Sequence, residues 1–325
     1  MYNKEYRPTL AQLRTFVTIA ENKHFGTAAQ RLNISQPSLS QALVALEQGL
    51  GVQLIERSTR RVIVTSVGER LLPYAKEILD AADSFMMHAR GAHGELTGPV
   101  SIGIIPTIAP YILPKLLTGI HQQHPALEPR IIEEQTHHLL DKLRDGQLDF
   151  AILALPVEVS GLVEIPLYRE RFAVVLDKND PLAGRDDLTL EDLQSLELLL
   201  LDDGHCLRDQ IVDLCRRAHL NPSEVTSAVT RASSLTTIMQ LVIGGLGSTL
   251  VPESAIPTEV NHSSLSLSSF APGIEAEREI GIVFRASAAR GEEFRQIGTL
   301  IKSAFDDARK RAETIYNMGP HLHQD

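Results

Sequence analysis

The 325-residue chain holds two cysteines, Cys206 and Cys215, the first within Asp202-Asp203-Gly204-His205-Cys206-Leu207-Arg208-Asp209-Gln210. A thiol near pKa 8.5 is mostly protonated at neutral pH, and the thiolate is the nucleophile, so a reactive cysteine needs electropositive surroundings. Gly204 can open a helix whose N-terminal amides favour a thiolate at Cys206. His205 and Arg208 add positive charge, while Asp202 and Asp203 pull the other way. The pair also reads as two unrelated small hydrophobes. Close histidine pairs (His121 with His124, His137 with His138, His321 with His323) raise metal binding as a further chemistry. No cysteine or carboxylate set stands at ligand spacing, so neither a metal nor another cofactor is expected.

The elements that must position these groups follow from length and pattern. At about 100 to 200 residues per domain the chain predicts two domains. Its 43% hydrophobic and 22% charged residues are a globular balance. Two cysteines make no disulfide framework, and the first twenty residues lack an unbroken apolar run behind a basic start, so a reducing, cytoplasmic setting is expected. Leu235 to Pro252, the most apolar long stretch, is broken by Thr236, Thr237, Gln240 and glycines, which argues against a membrane span. Residues 1–70 hold nine Lys and Arg against five Glu, a balance of +4 that leaves −14 on the rest of a chain whose total is −10. Such a head can approach a phosphate backbone while the acidic body stays off it, although a solvated face would look the same.

Within the head, Leu10, Leu13, Phe16, Val17 and Ala20 recur at helical spacing. Ala28, Ala29 and Leu32 close a short helix, Asn33-Ile34 turns, and Ser35 is an N-cap with Pro37 in the first turn of the next helix. There Leu39, Leu43, Leu46 and Leu50 form one inward stripe, and Gly49 and Gly51 end it. Ser38, Gln41, Val44 and Gln48 face outward with Gln36 near the start, which suits base edges and phosphates in a major groove and equally suits a capped surface helix. Leu54 to Thr65 reads as a hairpin with Arg57, Arg60 and Arg61 about its tip, the shape of a basic wing. Ser66-Val67-Gly68-Glu69 is a capping-box pattern. After it Leu71, Ala75, Ile78, Ala82 and Phe85 repeat at steps of four and three, with Lys76, Glu77, Asp80 and Asp83 opposite, a helix suited to pairing with a second copy or to core burial. Pro73 lies inside it and should loosen its first turns.

Gly91 to Gly98 reads as a hinge. Beyond it strands and helices alternate: Val100 to Ile105, a helix after Pro110, Arg130 to Glu133, a helix through His138 to Arg144, and Phe150 to Leu155. A second set, Arg171 to Leu176, Glu197 to Leu201 and Ser248 to Val251, precedes a late strand at Ile280 to Phe284 that can return to the first half. The alternation predicts an α/β architecture, a parallel sheet with helices on both faces, in two lobes with a crevice between them. Thr107, just after the first strand, falls where such a crevice binds small molecules. Glu313 to Asp325 reads as a polar, disordered tail.

Phe16-Val17, Ala28-Ala29-Gln30-Arg31-Leu32, Ser35-Gln36-Pro37-Ser38-Leu39-Ser40, Leu46-Glu47 and Leu50-Gly51-Val52-Gln53-Leu54-Ile55-Glu56-Arg57 together resemble the LysR-type transcriptional regulators. The stretch from Asp203 to Gln210, with Cys215, resembles the family's hydrogen-peroxide-sensing subgroup. The resemblance spans nearly the whole chain, with Gln41 standing where many relatives carry Arg. It implies a winged helix-turn-helix DNA-binding domain at 1–65, a linker and dimerisation helix at 66–90, a hinge at 91–98, a two-lobed, periplasmic-binding-protein-like regulatory domain at 99–312, and a flexible tail at 313–325. It further implies a homotetramer (a dimer of dimers) on a roughly two-fold symmetric double-stranded DNA operator. Ser35, Gln36, Pro37, Ser38, Ser40, Gln41, Arg57, Arg60 and Arg61 would meet that operator, and Leu71, Ala75, Ile78, Ala82 and Phe85 would form the dimer seam. Hydrogen peroxide, a thiol reductant system and RNA polymerase are the other expected partners. The residue matching Cys206 is then the peroxidatic thiol and that matching Cys215 the resolving one, in a pocket lined by Thr107, Thr136, His205 and Arg278.

That pairing has a geometric consequence. In a continuous helix, nine steps of about 1.5 Å set the two cysteines roughly 13 Å apart and on opposite sides, whereas a disulfide needs Cα atoms within about 7 Å. The segment would have to refold, moving Ile211, Val212 and Leu214. Two other functions fit parts of the pattern: a LysR-type regulator answering a small metabolite with incidental cysteines, and a turnover thiol peroxidase, which would leave the N-terminal module unexplained.

Overall fold

A computed structural model describes the chain apart from residues 1–5, 58–61, 91–95, 222–225, 289 and 319–325. It divides into two compact units, Met1–Gly94 with Ser287–Arg290, and Glu95–Ala286 with Gly291–Asp325.

The first unit holds α1 (Leu10–Asn22), α2 (Phe25–Arg31), α3 (Gln36–Leu50), a β1–β2 hairpin (Ile55–Arg57 and Val62–Val64) and α4 (Ser66–Arg90). Local chemistry sets each boundary. Thr9 and Gln12 form a reciprocal capping box on α1. Ser35 Oγ accepts the Ser38 amide at 3.3 Å at the start of α3, and Gly51 ends that helix at φ +68°. Leu39, Leu43 and Leu46 join Leu13, Phe16 and Ile19 in one core. Glu47 Oε1 accepts the amides of Leu54 and Ile55 at 2.8 and 3.0 Å, tying the end of α3 to the first wing strand.

Two expectations for α4 are corrected. The cap is Thr65: its Oγ1 accepts the Gly68 amide at 3.0 Å, and Ser66 is already helical. Lys76 lies on the inner face, buried, with Nζ 3.5 Å from Glu21 of α1, because its long stem can cross the apolar contact to reach that carboxylate. The helix is continuous through Pro73.

The second unit begins with β3 (Gly98–Ile104), α5 (Ala109–Gln123), β4 (Leu127–Glu133), α6 (Thr136–Arg144), β5 (Phe150–Leu155) and β6 (Leu162–Asp177). It continues with β7 (Leu198–Leu201), α7 (Cys206–Arg217), β8 (Thr226–Ala232), α8 (Leu235–Ile243) and β9 (Thr249–Pro252). The last elements are α9 (Ile256–Glu259), β10 (Leu265–Ser269), β11 (Glu277–Arg285) and α10 (Gly291–Met318). The main sheet runs β10-β6-β11-β5-β3-β4 with β9 also on β6, and β7 pairs with β8 separately. The expected all-parallel sheet is corrected to a mixed one. β3 runs parallel to β4 and β5, and β7 to β8, while β6, β9, β10 and β11 pair antiparallel. The long strands β6 and β11 serve both halves and traverse them in opposite senses, which forces the antiparallel register. The return of the late strand is seen directly, with Ile282 of β11 opposite Ile152 of β5. The expected tail is helical through Met318, because Ala308, Ala312 and Ile315 continue the inward stripe of α10.

Glu47→Ala should remove both wing amide bonds and destabilise the first unit by about 2 kcal/mol, at the usual scale for bonds to a charged acceptor. Amide exchange in the intact protein checks it: protection at Leu54 and Ile55 should fall first, and unchanged protection would show that the wing is held by other contacts.

Candidate functional site

Cys206 is the first residue of α7, so its position follows from what ends β7. After Leu201 the Asp202 amide still bonds Ala232 of β8 at 2.9 Å, and the chain then turns through Gly204 at φ +91°. A Cβ there would stand 2.6 Å from Gln135 Oε1, and Gln135 Nε2 donates to the Asp203 carbonyl at 3.3 Å. A side chain at Gly204 would therefore strain the turn and displace the Gln135 side chain from its bond. His205 caps α7, and Leu207, Ile211, Leu214 and Cys215 form its buried face.

The groups meeting at the Cys206 sulfur come from separate elements. Thr107 lies between β3 and α5, Thr136 opens α6, and Arg278 stands on β11. Cys206 itself opens α7, and Thr136 opens α6, so helix starts contribute two of these groups. The buried Arg278 guanidinium donates from Nε to Glu170 Oε2 at 2.8 Å, and its Nη2 lies 2.8 Å from the same oxygen as an ion pair. Its Nη1 donates to Thr107 Oγ1 and its Nη2 to the Thr107 carbonyl, both at 2.9 Å. Guanidinium only donates, so Thr107 Oγ1 is the acceptor in that bond and its own proton is left to point at the sulfur. The Thr136 hydroxyl is buried without a hydrogen-bond partner among the described residues and acts on the same sulfur.

Burial pushes the Cys206 thiol above the ordinary range, outweighing Arg278, Thr136 and Thr107, which favour the thiolate; Asp209 adds to the rise. Arg208 is turned aside, its Nε 2.9 Å from Asp203, whose side chain is 72% exposed. Burial holds His205 below the usual imidazole range, against the pull of Asp202, so it adds no cation. Cys215 lies fully buried in an apolar core, its thiol also raised by burial. With α7 unbroken, both cysteines are free thiols at opposite ends of the helix.

Thr136, Leu140, Leu155 and Pro156 face Cys206, Asp209, Gln210 and Arg216 across a cleft of about 640 Å³. No group of three or more His, Cys, Asp or Glu among the described residues could hold a metal. The sequence pattern missed Glu170, although the alternation of buried Tyr168, Glu170 and Phe172 with exposed Arg169 and Arg171 along β6 would have turned it inward.

In the first unit Ser35, Gln36, Pro37, Ser38 and Gln41 are exposed along the start of α3, with Ser40 half-buried. The Arg57 side chain and all of Arg60 and Arg61 lie outside the described residues. On α4 the pairing stripe splits: Leu71 and Ala75 pack onto the first unit's core, Ala82 is half-buried, and Ile78 and Phe85 are exposed, Phe85 to 73%.

Residues 10–69 match the bacterial regulatory helix-turn-helix model of the lysR family, and residues 93–306 match the LysR substrate binding domain. The chain is 49% identical to a probable hydrogen peroxide-inducible genes activator of Mycobacterium leprae, over 93% of this chain and 96% of the relative. It is similar to the hydrogen-peroxide-bound form of a cysteine variant of Corynebacterium glutamicum OxyR, with 63% identity, a TM-score of 0.69, and coverage of 96% of this chain and 97% of that one. It is also similar to a full-length Pseudomonas aeruginosa OxyR variant, with 34% identity, a TM-score of 0.78, and coverage of 92% and 96%. The chain belongs to the LysR family of bacterial regulatory helix-turn-helix proteins, and within it groups with the OxyR proteins.

Proposed function

We propose that this protein is a hydrogen-peroxide-sensing transcriptional regulator that reads double-stranded DNA with its first unit and peroxide with Cys206. The observation that carries the reading is the half-buried cysteine at a helix start, on whose sulfur Arg278 and the Thr107 and Thr136 hydroxyls act. Arg278 Nη1 donates one of its two N–H bonds to Thr107 Oγ1, leaving the other for a small oxygen ligand.

In the first step the Cys206 sulfur attacks one peroxide oxygen. The S–O bond forms as the O–O bond breaks, and the departing hydroxide takes up the thiol proton, giving a sulfenic acid and one water. Peroxide is reduced by two electrons and the sulfur oxidised by two. Thr107, Thr136 and the free Nη1–H can hydrogen-bond the two oxygens as charge moves from sulfur to the leaving group. In the second step Cys215 displaces hydroxide from the sulfenic sulfur, and that hydroxide leaves as a second water with the Cys215 proton. The intact α7 separates the two thiols by about 13 Å, so this step requires the helix to unwind and Ile211 and Leu214 to leave their core. Closing a loop of about ten residues contributes on the order of 3 kcal/mol in the chain-entropy model, the scale on which two packings of one segment differ.

Further parts of the reading rest on the resemblance and on α3 and α4. Ser35, Gln36, Pro37, Ser38, Ser40 and Gln41 enter a major groove, and Arg57, Arg60 and Arg61 meet phosphates from the wing. The exposed Ile78 and Phe85 extend a seam from Leu71, Ala75 and Ala82 onto a second copy, within a homotetramer. A cellular thiol system reduces the disulfide, RNA polymerase receives the signal, the protein acts in the cytoplasm, and it regulates rather than turning over peroxide as an enzyme. The proposed domain limits are 1–65, 66–90 and 91–98, with a regulatory domain that starts at 99 and, because α10 packs on through Ile315, runs past 312 to Met318. No described helix is long and apolar enough to cross a membrane.

Footprints of reduced and peroxide-treated protein, on an operator selected from random duplexes, should differ for the wild type and coincide for Cys206→Ser. Cys215→Ser should accumulate a sulfenic acid that a dione probe traps, with no internal disulfide. A Cys206→Ser protein that still answers peroxide would sink the reading, as would a metabolite that moves the footprint while peroxide leaves both thiols free. For the wing, Arg60→Ala should lower the slope of log K against log salt by about 0.9, the value for one phosphate contact; an unchanged slope would take Arg60 off the DNA.

A further inference from the structure

Arg278 and Glu170 are opposite residues in the register of β11 and β6, and both side chains are fully buried. Two features separate this pair from a simple cross-strand ion pair. Its cation acts on the Cys206 sulfur and bonds the Thr107 hydroxyl that does the same, while its anion is held from behind by the Ser254 amide, 3.0 Å from Glu170 Oε1. The carboxylate is therefore fixed at both oxygens and cannot turn away from the guanidinium without leaving a buried N–H unmet.

We infer that Glu170 is a positioning residue that restrains the peroxide-reactive thiol, by fixing Arg278 in place and offsetting the charge that it presents to Cys206. This inference rests on the peroxide-sensing reading above and deepens it.

Among the described residues, the charges that act on the site come from several elements. On Cys206 act Arg278 from β11 and, from its own helix, Asp209; the neighbouring His205 is kept neutral by burial. Around Arg278 lie Glu170 and Tyr168 from β6 and Tyr111 from α5, both tyrosines held protonated by burial. Behind Glu170, Glu253 is pushed up to about 7, by burial first and then by Glu170, with Arg171, Arg309 and Glu313 around it. Arg278 is thus the cation acting on the sulfur, and Glu170 is the carboxylate bonded to it. In a dry interior a neutralised cation stabilises a nearby anion far less than an open one does. Removing the Glu170 charge leaves Arg278 in need of an anion, and the Cys206 thiolate can serve. A residue whose sole task was to hold Arg278 for catalysis would give the opposite sign, since its loss would slow the thiol.

The test is alkylation of Cys206 by iodoacetamide, a neutral probe that reacts with thiolate, followed by mass spectrometry across pH in the full-length protein. Glu170→Gln should react about tenfold faster at pH 7, with the midpoint of the profile about one pH unit lower. Glu170→Asp keeps the charge on a shorter arm and should show about a threefold gain. Should the Gln variant not fold, Asp alone decides. Equal or slower alkylation in a folded variant overturns the inference, and so does loss of folding in both, which would make Glu170 a structural partner only. Peroxide plays no part in this assay. A wild-type protein that alkylates as expected yet forms no sulfenic acid with peroxide would end the sensing reading and leave this one standing.

Discussion

A helix and a short sulfur bridge impose incompatible spacings on Cys206 and Cys215, and the rest of this structure is arranged around that conflict. α7 puts one thiol at its first residue, in a polar pocket, and the other near its last turn, within the apolar core of the second unit. Neither can be bridged to the other by rotating side chains. The three buried apolar residues between and beside them, Leu207, Ile211 and Leu214, are what a bridged state must expose or repack. Burying a leucine or isoleucine is worth about 1.5 to 3 kcal/mol. In the proposed function the unwound form is disfavoured until a Cys206–Cys215 bond offsets part of that loss. Chemistry at one atom then becomes a change in backbone.

The pocket at the helix start is set by a balance between burial and a single cation. A guanidinium and two hydroxyls act on the sulfur in favour of the thiolate, yet desolvation outweighs them, and Glu170 already claims the charge of Arg278. The same bonds give Thr107 its direction: accepting from Arg278, it has its proton left for sulfur or ligand. The buried ion pair thereby orders the donors of the site while limiting how far they activate the thiol. Such a pair contributes more to geometry and selectivity than to net stability, given the cost of burying both charges.

Much of this was legible in the sequence where a local rule decides the outcome. Ser35, Pro37 and Gly51 mark the ends of α3 by chemistry that needs no tertiary context, and the Leu39, Leu43, Leu46 stripe predicts its buried face. The conversion of Gly204 into a helix start was equally readable. What escaped depends on neighbours distant in the chain. Thr65 and Ser66 are both competent caps, and only the hairpin's return decides between them. Lys76 sits at a polar position of the heptad but finds Glu21 across a helix contact. The antiparallel strands arise because β6 and β11 cross both lobes, which a count of alternating strands and helices does not reveal. Glu170 is the instructive case. Its place in the strand alternation was available, but its meaning appears only once Arg278, more than a hundred residues later, is laid opposite it.

Amide hydrogen exchange across residues 206–217 tests the central claim most directly, comparing reduced wild type, peroxide-treated wild type and peroxide-treated Cys215→Ser. The account predicts that protection in α7 collapses only in the peroxide-treated wild type, where the bridge can form. Retention of full helical protection in a chain shown by mass to carry the Cys206–Cys215 bond would contradict it.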